Sequence, residues 1–181
     1  MENAGAVGQT RATRGISATT TKNGACRCTT TAGCLKCILE GFQAGLSWEC
    51  VLNKQEAFRR AFDDFDWDKV AAYDETRQAA LYADPGIIRN RRKIAAAVGN
   101  AAAFAAIRQE FGSFDSYLWQ WTGGKTLVEC GPTTSPLSDA ISKDLKKRGM
   151  KFVGSTIIYA YLQAVGVLYA HEPGCFLEAA P

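Results

Sequence analysis

The first 41 residues contain no Phe, Tyr or Trp, in a chain that elsewhere holds nine Phe, six Tyr and four Trp. They carry eight Thr, including the triplets Thr19–Thr21 and Thr29–Thr31, and four of the seven Cys. Without apolar periodicity such a stretch has nothing to bury, so no element is assigned to it. No apolar run in the 181 residues approaches the ~20 needed to span a bilayer, which excludes a membrane helix. The beginning, Met1 to Ser17, lacks the apolar core of a secretory signal. Seven Cys, an odd number without export, point to reduced thiols in a cytoplasm rather than to a disulfide framework. Charge of one sign is also scarce. A net charge of +3 does not define a nucleic-acid binder, and any DNA-facing patch has to be local. Residues 1–37 hold five Lys/Arg (Arg11, Arg14, Lys22, Arg27, Lys36) against Glu2 alone.

From Ile38 the character changes, and the chain divides into an atypical segment, 1–37, and a helical domain, 38–181. Leu39, Phe42 and Leu46, then Val51, Leu52, Ala57, Phe58 and Phe62, recur at helical spacing. Gly45-Leu46-Ser47 breaks a first helix, and Ser47 is suited to cap a second over Trp48 to Phe62. A short helix follows near Asp68 to Tyr73, with Asp66 as its cap, and Asp84-Pro85-Gly86 forms a turn. Arg89 to Phe111 is a long helix with Ile94, Val98, Ala101 and Ala105 on one face. Phe114 to Trp121 is another short helix, and Gly123-Gly124 opens a loop that ends at Pro132 to Pro136. Leu137 to Arg148 is amphipathic, and Phe152 to Leu168 is almost wholly apolar and expected to be central. The fold class is all-α.

Two places carry chemistry. Leu145-Lys-Lys-Arg-Gly-Met-Lys-Phe-Val-Gly-Ser-Thr156 joins two of these helices through a hairpin. Gly149 stands where a helix end favours left-handed backbone, and Gly154 precedes Ser155 at the start of the next helix. Lys146, Lys147, Arg148 and Lys151 surround the turn with positive charge. A helix N-terminus with exposed N–H groups attracts phosphate oxygens, and such contacts position DNA without reading its sequence. The same residues also suit an ordinary solvated helix end, whose basic side chains complement the dipole. The second place is Glu40, an acid in an apolar stretch that shares a helix face with Gln43 and Ala44, with Trp48 just past the break. A carboxylate beside an indole fits a flat cationic ligand, by stacking and by charge-assisted hydrogen bonding. A surface Glu with Trp48 in the core is the structural alternative.

"LEGFQAGLSW" (Leu39 to Trp48), "GIIRNRRKIAAAVGNAAAF" (Gly86 to Phe104) and "LKKRGMKFVGSTIIYAYLQAVG" (Leu145 to Gly166) resemble segments of the DNA-3-methyladenine glycosylase I family. The resemblance keeps order and spacing over roughly four-fifths of the chain. It implies a helix-hairpin-helix glycosylase fold, with Glu40 as the acid that contacts the base and Trp48 as a wall of the pocket. It also implies DNA contacts at Lys147, Gly149, Lys151, Gly154 and Ser155. The implied activity is hydrolysis of the N-glycosidic bond of 3-methyladenine in alkylated double-stranded DNA by a cytoplasmic monomer, leaving an abasic site. The alternative is a DNA-binding helical module without catalysis, its pocket lost.

His171-Glu-Pro-Gly-Cys175 has the spacing of two zinc ligands and contains the only His. By the same resemblance, the pair is the C-terminal half of a structural zinc site. The other half, a Cys near the start and a His in a Tyr-His-Asp run, is missing: residue 4 is Ala and residues 17–21 are Ser-Ala-Thr-Thr-Thr. A shifted reading frame accounts for the loss. Ala18 as GCT followed by ACC-ACG-ACG for Thr19–Thr21 contains TAC-CAC-GAC, which encodes Tyr-His-Asp. Extended over Gly15 to Cys37, the displaced frame permits YQRYHDEEWGVPLHDDRGLFEM, an aromatic and His-containing string of the family's type. A Thr-rich, divergent N-terminus is the simpler alternative, and the codons of the gene decide between them.

Overall fold

The computed structural model describes residues 39–170. Residues 39–43 are helical (α1), and the chain turns at Gly45, whose φ of 76° suits a residue without a Cβ. Leu39 and Phe42 of α1 are buried. Phe42 meets Phe58 edge-on at 4.6 Å and Phe62 at 6.1 Å, which fastens this short helix to the core. Ser47 caps α2 (Trp48–Leu52), its hydroxyl accepting from the Cys50 amide at 3.3 Å.

The single helix expected over Trp48 to Phe62 is two. Lys54 leaves helical geometry at φ −106° and ψ 3°, and α3 (Gln55–Ala61) begins after it. The Lys54 ammonium is held away from the helix line by the carbonyls of Pro85 and Gly86, at 3.3 and 3.1 Å. No Gly or Pro marks this break. A 3-10 turn, Asp63–Phe65, leads to α4 (Trp67–Ala71), capped by Asp66 as its position suggested. Helix α5 (Glu75–Ala83) was not anticipated, although Asp74 caps it by accepting from the Arg77 amide at 2.7 Å. The Asp84-Pro85-Gly86 turn is present, with the Gly86 amide on the Asp84 carboxylate at 2.7 Å.

The long helix, α6 (Arg91–Phe111), starts two residues later than expected because Asn90 is its cap. Its apolar face packs on α4 and on α7 (Phe114–Trp119) through a stack of rings. Trp67 lies 4.4 Å from Phe104, and Phe104 lies 4.3 Å from Phe114. Helix α8 (Pro136–Lys147) begins with a reciprocal capping box between Ser135 and Ser138. The apolar stretch from Phe152 yields a shorter helix than expected, α9 (Ser155–Ala164). Its Ile158, Tyr161 and Leu162 are buried, which confirms its central place. Phe152 itself lies outside that helix and is exposed. Beyond Gly166, β2 (Leu168–Tyr169) pairs in parallel with β1 (Leu127–Val128), pinning the loop after α7 to the end of α9. The architecture is all-α apart from this two-residue pairing. Among the described residues no helix is long and apolar enough to cross a membrane.

Candidate base site and nucleic-acid interface

Helix α1 carries Glu40 between two core anchors, Leu39 and Phe42, and its side chain is only 2 % exposed. A carboxylate withdrawn so far from water is costly unless charged or hydrogen-bonding groups compensate it. Trp48 opens α2 five residues after α1 ends, with the Gly45 turn between them. The side chain of Trp48, the predicted wall of the pocket, lies outside what the structure describes.

The carbonyl end of α1 is closed by a lysine from another helix. Lys93, buried near the start of α6, donates to the carbonyls of Phe42 at 2.8 Å and Ala44 at 2.6 Å. A cation at a helix C-terminus satisfies terminal carbonyls and complements the dipole. Burial pulls the Lys93 ammonium below its usual pKa. Beside this contact a shallow, open recess is walled by Gly41, Phe42, Lys93, Ala96, Ala97, Asn100 and Phe152. Glu40 is not among those walls.

The hairpin between α8 and α9 forms the far wall. Gly149 adopts φ 92°, the Met150 amide bonds to Leu145 O at 3.0 Å, and the Gly149 amide bonds to Lys146 O at 3.0 Å. This pair of bonds is a Schellman end, closed by the buried Leu145 and Met150. The glycine at 149 therefore has its predicted conformational reason. Gly154 differs, with an ordinary φ of −63° at the cap of α9 and no atom within 4 Å of an added Cβ. Neither strain nor crowding within the chain explains a glycine there. Among the described residues no side chain caps α9, so the amides of its first turn are open to another acceptor. The Ser155 hydroxyl is engaged inside, 2.8 Å from that of Ser138, while Ser142 donates to Val153 O at 2.6 Å. These bonds hold α9 against α8.

Lys147 and Lys151 are exposed beside the turn, and none of the ion pairs between described residues uses them. Arg148, expected to join them in surrounding the turn with charge, points back into the scaffold. It pairs with Glu110 at 2.5 Å and Asp144 at 2.7 Å, with its guanidinium over the rings of Phe111 and Tyr117. The Glu110 carboxylate holds the Arg148 pKa high, aided by Asp144. Burial raises the pKa of Tyr117, and its hydroxyl donates to Asp144 at 2.8 Å. The positive charge available to a phosphate is thus that of lysines.

His171 and Cys175, the zinc candidates, lie outside the described residues, as do residues 1–37. Among the described residues no group of three or more His, Cys, Asp or Glu is placed to hold a metal.

Among the described residues, a helical scaffold with a buried acid on α1 and a lysine-flanked hairpin between α8 and α9 defines the class, an all-α protein. Comparison with known proteins gives the family. The methyladenine glycosylase profile matches residues 34–178, and the chain belongs to that family. It is 48 % identical over 144 residues to DNA-3-methyladenine glycosylase 1 of Escherichia coli K12, covering 76 % of each chain. A crystal structure of a 3-methyladenine DNA glycosylase I superposes with a TM-score of 0.80 at 40 % identity, over 89 % of this chain and 92 % of that one. The Staphylococcus aureus enzyme, solved to show the basis of 3-methyladenine recognition, gives a TM-score of 0.78 at 34 % identity, over 84 % of this chain and 83 % of that one.

Proposed function

We propose that this chain is a monofunctional DNA glycosylase that hydrolyses the N-glycosidic bond of 3-methyladenine in alkylated double-stranded DNA. The observation that carries the reading is the burial of Glu40 within α1, on a scaffold shared with proteins that bear this activity. A 3-methyladenine is cationic while attached to deoxyribose, so its bond to the sugar is already weakened. Glu40 serves recognition and electrostatic stabilisation: it accepts from the flipped cationic base, and Trp48 supplies a stacking face. The base departs with the glycosidic electron pair as a neutral purine. Water adds to the sugar carbon and loses a proton, leaving an abasic site. No strong general acid is required, and no lysine is assigned to a lyase step.

The α8–α9 pair is read as the helix-hairpin-helix that grips the DNA backbone. Gly149 makes the turn, Gly154 permits close approach, the amides at Ser155 and beyond meet a phosphate, and Lys147 and Lys151 neutralise its charge. The protein is read as a cytoplasmic monomer. Cys50 is a free thiol, which suits a reducing compartment. A structural zinc is proposed with His171 and Cys175 as two of its four ligands. Metal analysis of the purified chain tests this: stoichiometric zinc supports it, and zinc-free protein of full stability rejects it.

The reading is tested by release of free 3-methyladenine from methylated duplex DNA. Glu40→Gln should lower the single-turnover rate about 10- to 100-fold, the loss expected for a charged hydrogen bond. Trp48→Ala should also lose activity. Wild-type protein that binds DNA but releases no base would instead favour a non-catalytic module.

A further inference from the structure

Helix α6 touches both halves of the site. Lys93 fastens the carbonyl end of α1, which carries Glu40. Asn100 lies seven residues later, two helical turns and about 10 Å along the same face. Its side-chain amide makes two bonds to one hairpin residue: Nδ2 donates to Lys151 O at 2.9 Å, and the Lys151 amide donates to Oδ1 at 2.8 Å. The next residue, Phe152, is held at φ 56°, an uncommon conformation for a residue with a bulky side chain. Its Cβ and carbonyl oxygen lie 3.8 Å from where a Cβ on Gly41 would stand, and its ring centroid is 5.9 Å from the Lys93 ammonium.

We propose that Asn100 is a positioning residue that fixes the α8–α9 hairpin relative to the acid-bearing helix α1. The proposal rests on the glycosylase reading above, and it adds a link that reading does not contain. A flipped nucleotide is tethered to the strand that the hairpin grips. The spacing between the gripped phosphate and Glu40 therefore decides whether the base reaches the acid. Asn100 sets that spacing through the hairpin, since both ends of its side-chain amide are taken by Lys151. It copies the pairing of a neighbouring strand onto a turn that otherwise has few internal backbone bonds, and it holds Phe152 against Gly41.

The prediction is a separation of two affinities. With Asn100→Ala, free 3-methyladenine should bind within about twofold of wild type, because Glu40 and α1 are anchored by other contacts. Affinity for a duplex carrying a stable abasic-site analogue should fall about tenfold, as expected for a displaced phosphate contact. The slope of log affinity against log salt should fall by about one phosphate contact. Amide exchange should quicken at Lys151 and stay unchanged at Ile158 in α9. Equal losses of base and DNA affinity, or faster exchange through α9, would make Asn100 a plain fold residue and overturn the proposal. Unchanged DNA affinity would overturn it too. Wild-type protein that binds both ligands but releases no base sinks the glycosylase reading and leaves this binding comparison decisive. Protein that binds neither ligand sinks both.

Discussion

Two turns among the described residues hold ordinary residues at positive φ, and they are treated in opposite ways. Asp63, Asp64 and Phe65 stand at 49°, 56° and 58°, and Phe152 at 56°. At the first turn Phe65 is 1 % exposed and stacks on Phe62, while the Tyr73 hydroxyl and Arg77 both bond to the Asp63 carboxylate. Burial and an ionic network compensate the unfavourable backbone there, and the turn looks inward. At the second, Phe152 is 37 % exposed, and the turn's neighbour Lys151 is held by the two bonds from Asn100. Uncommon backbone geometry with little burial to offset it is the kind retained where something outside the chain is gripped. The contrast sets a packed turn apart from an exposed one, the turn proposed above to grip DNA.

The comparison breaks most sharply on side-chain truncation. Phe65→Ala should destabilise by about 3–5 kcal/mol, the cost of removing a buried aromatic from a packed core. Phe152→Ala should cost less, about 1–2 kcal/mol, since over a third of the residue already meets water. Urea unfolding measures both. Similar losses would mean that Phe152 is a core residue and that the hairpin is scaffold.

A second contrast lies within the basic run itself. Arg148→Ala should cost about 2 kcal/mol, because it strips hydrogen-bonded partners from the half-buried Asp144 and an aromatic contact from Phe111. It should leave the salt slope of DNA binding unchanged. Lys147→Ala and Lys151→Ala should do the reverse, within about 0.5 kcal/mol of wild-type stability but with slopes reduced by about one each. A salt slope altered by Arg148→Ala would return that guanidinium to the DNA surface.

Sequence periodicity could place the helices but not this division of labour. The helix spacing of Leu39 and Phe42, the caps at Ser47 and Asp66, and the glycine ending α8 are local signals, and each appears where its chemistry demands. Glu40 was legible as an acid in an apolar stretch, and its burial followed. The missed features depend on distant partners. Lys54 breaks a helix to reach carbonyls about 30 residues away, and Arg148 turns inward because α6 offers Glu110. The link between Lys93, Asn100 and the hairpin crosses some 50 residues, with no local trace beyond polar residues on an Ala-rich helix. A two-residue strand pair leaves no readable period at all.

The inward turn should also show itself in pH. The Tyr73 hydroxyl bond, with lesser help from Arg77, lowers the Asp63 pKa below its usual 3.8. That stabilisation is present above 3.8 and is lost as pH falls below it. Burial, then the bond to Asp63, raises the Tyr73 pKa from 10.0 to about 12. The folded state keeps a proton that the unfolded chain releases, so stability is full below pH 10 and declines from there toward pH 12. Urea midpoints against pH should show both arms, and Tyr73→Phe should flatten the alkaline one. An unchanged alkaline arm in that variant would assign it to Tyr117 or Tyr159, whose pKa values are raised as well.

The smallest effect is the most pointed. Gly154 sits at the cap of α9 with φ −63° and ψ 158°, the backbone that a capping serine adopts, and space is open around it. Gly154→Ser should therefore add a few tenths of a kcal/mol, since the hydroxyl would accept from a free amide of the first turn. The same hydroxyl would occupy the amides that the proposed DNA phosphate needs, and its bulk would stand where the backbone must come close. Stability should rise slightly while DNA affinity falls, an inversion that a scaffold residue would not produce. Thermal unfolding and a duplex-binding titration on one preparation suffice. A more stable variant that binds DNA as well as wild type would remove the α9 amides from the interface and leave the grip to the lysines alone.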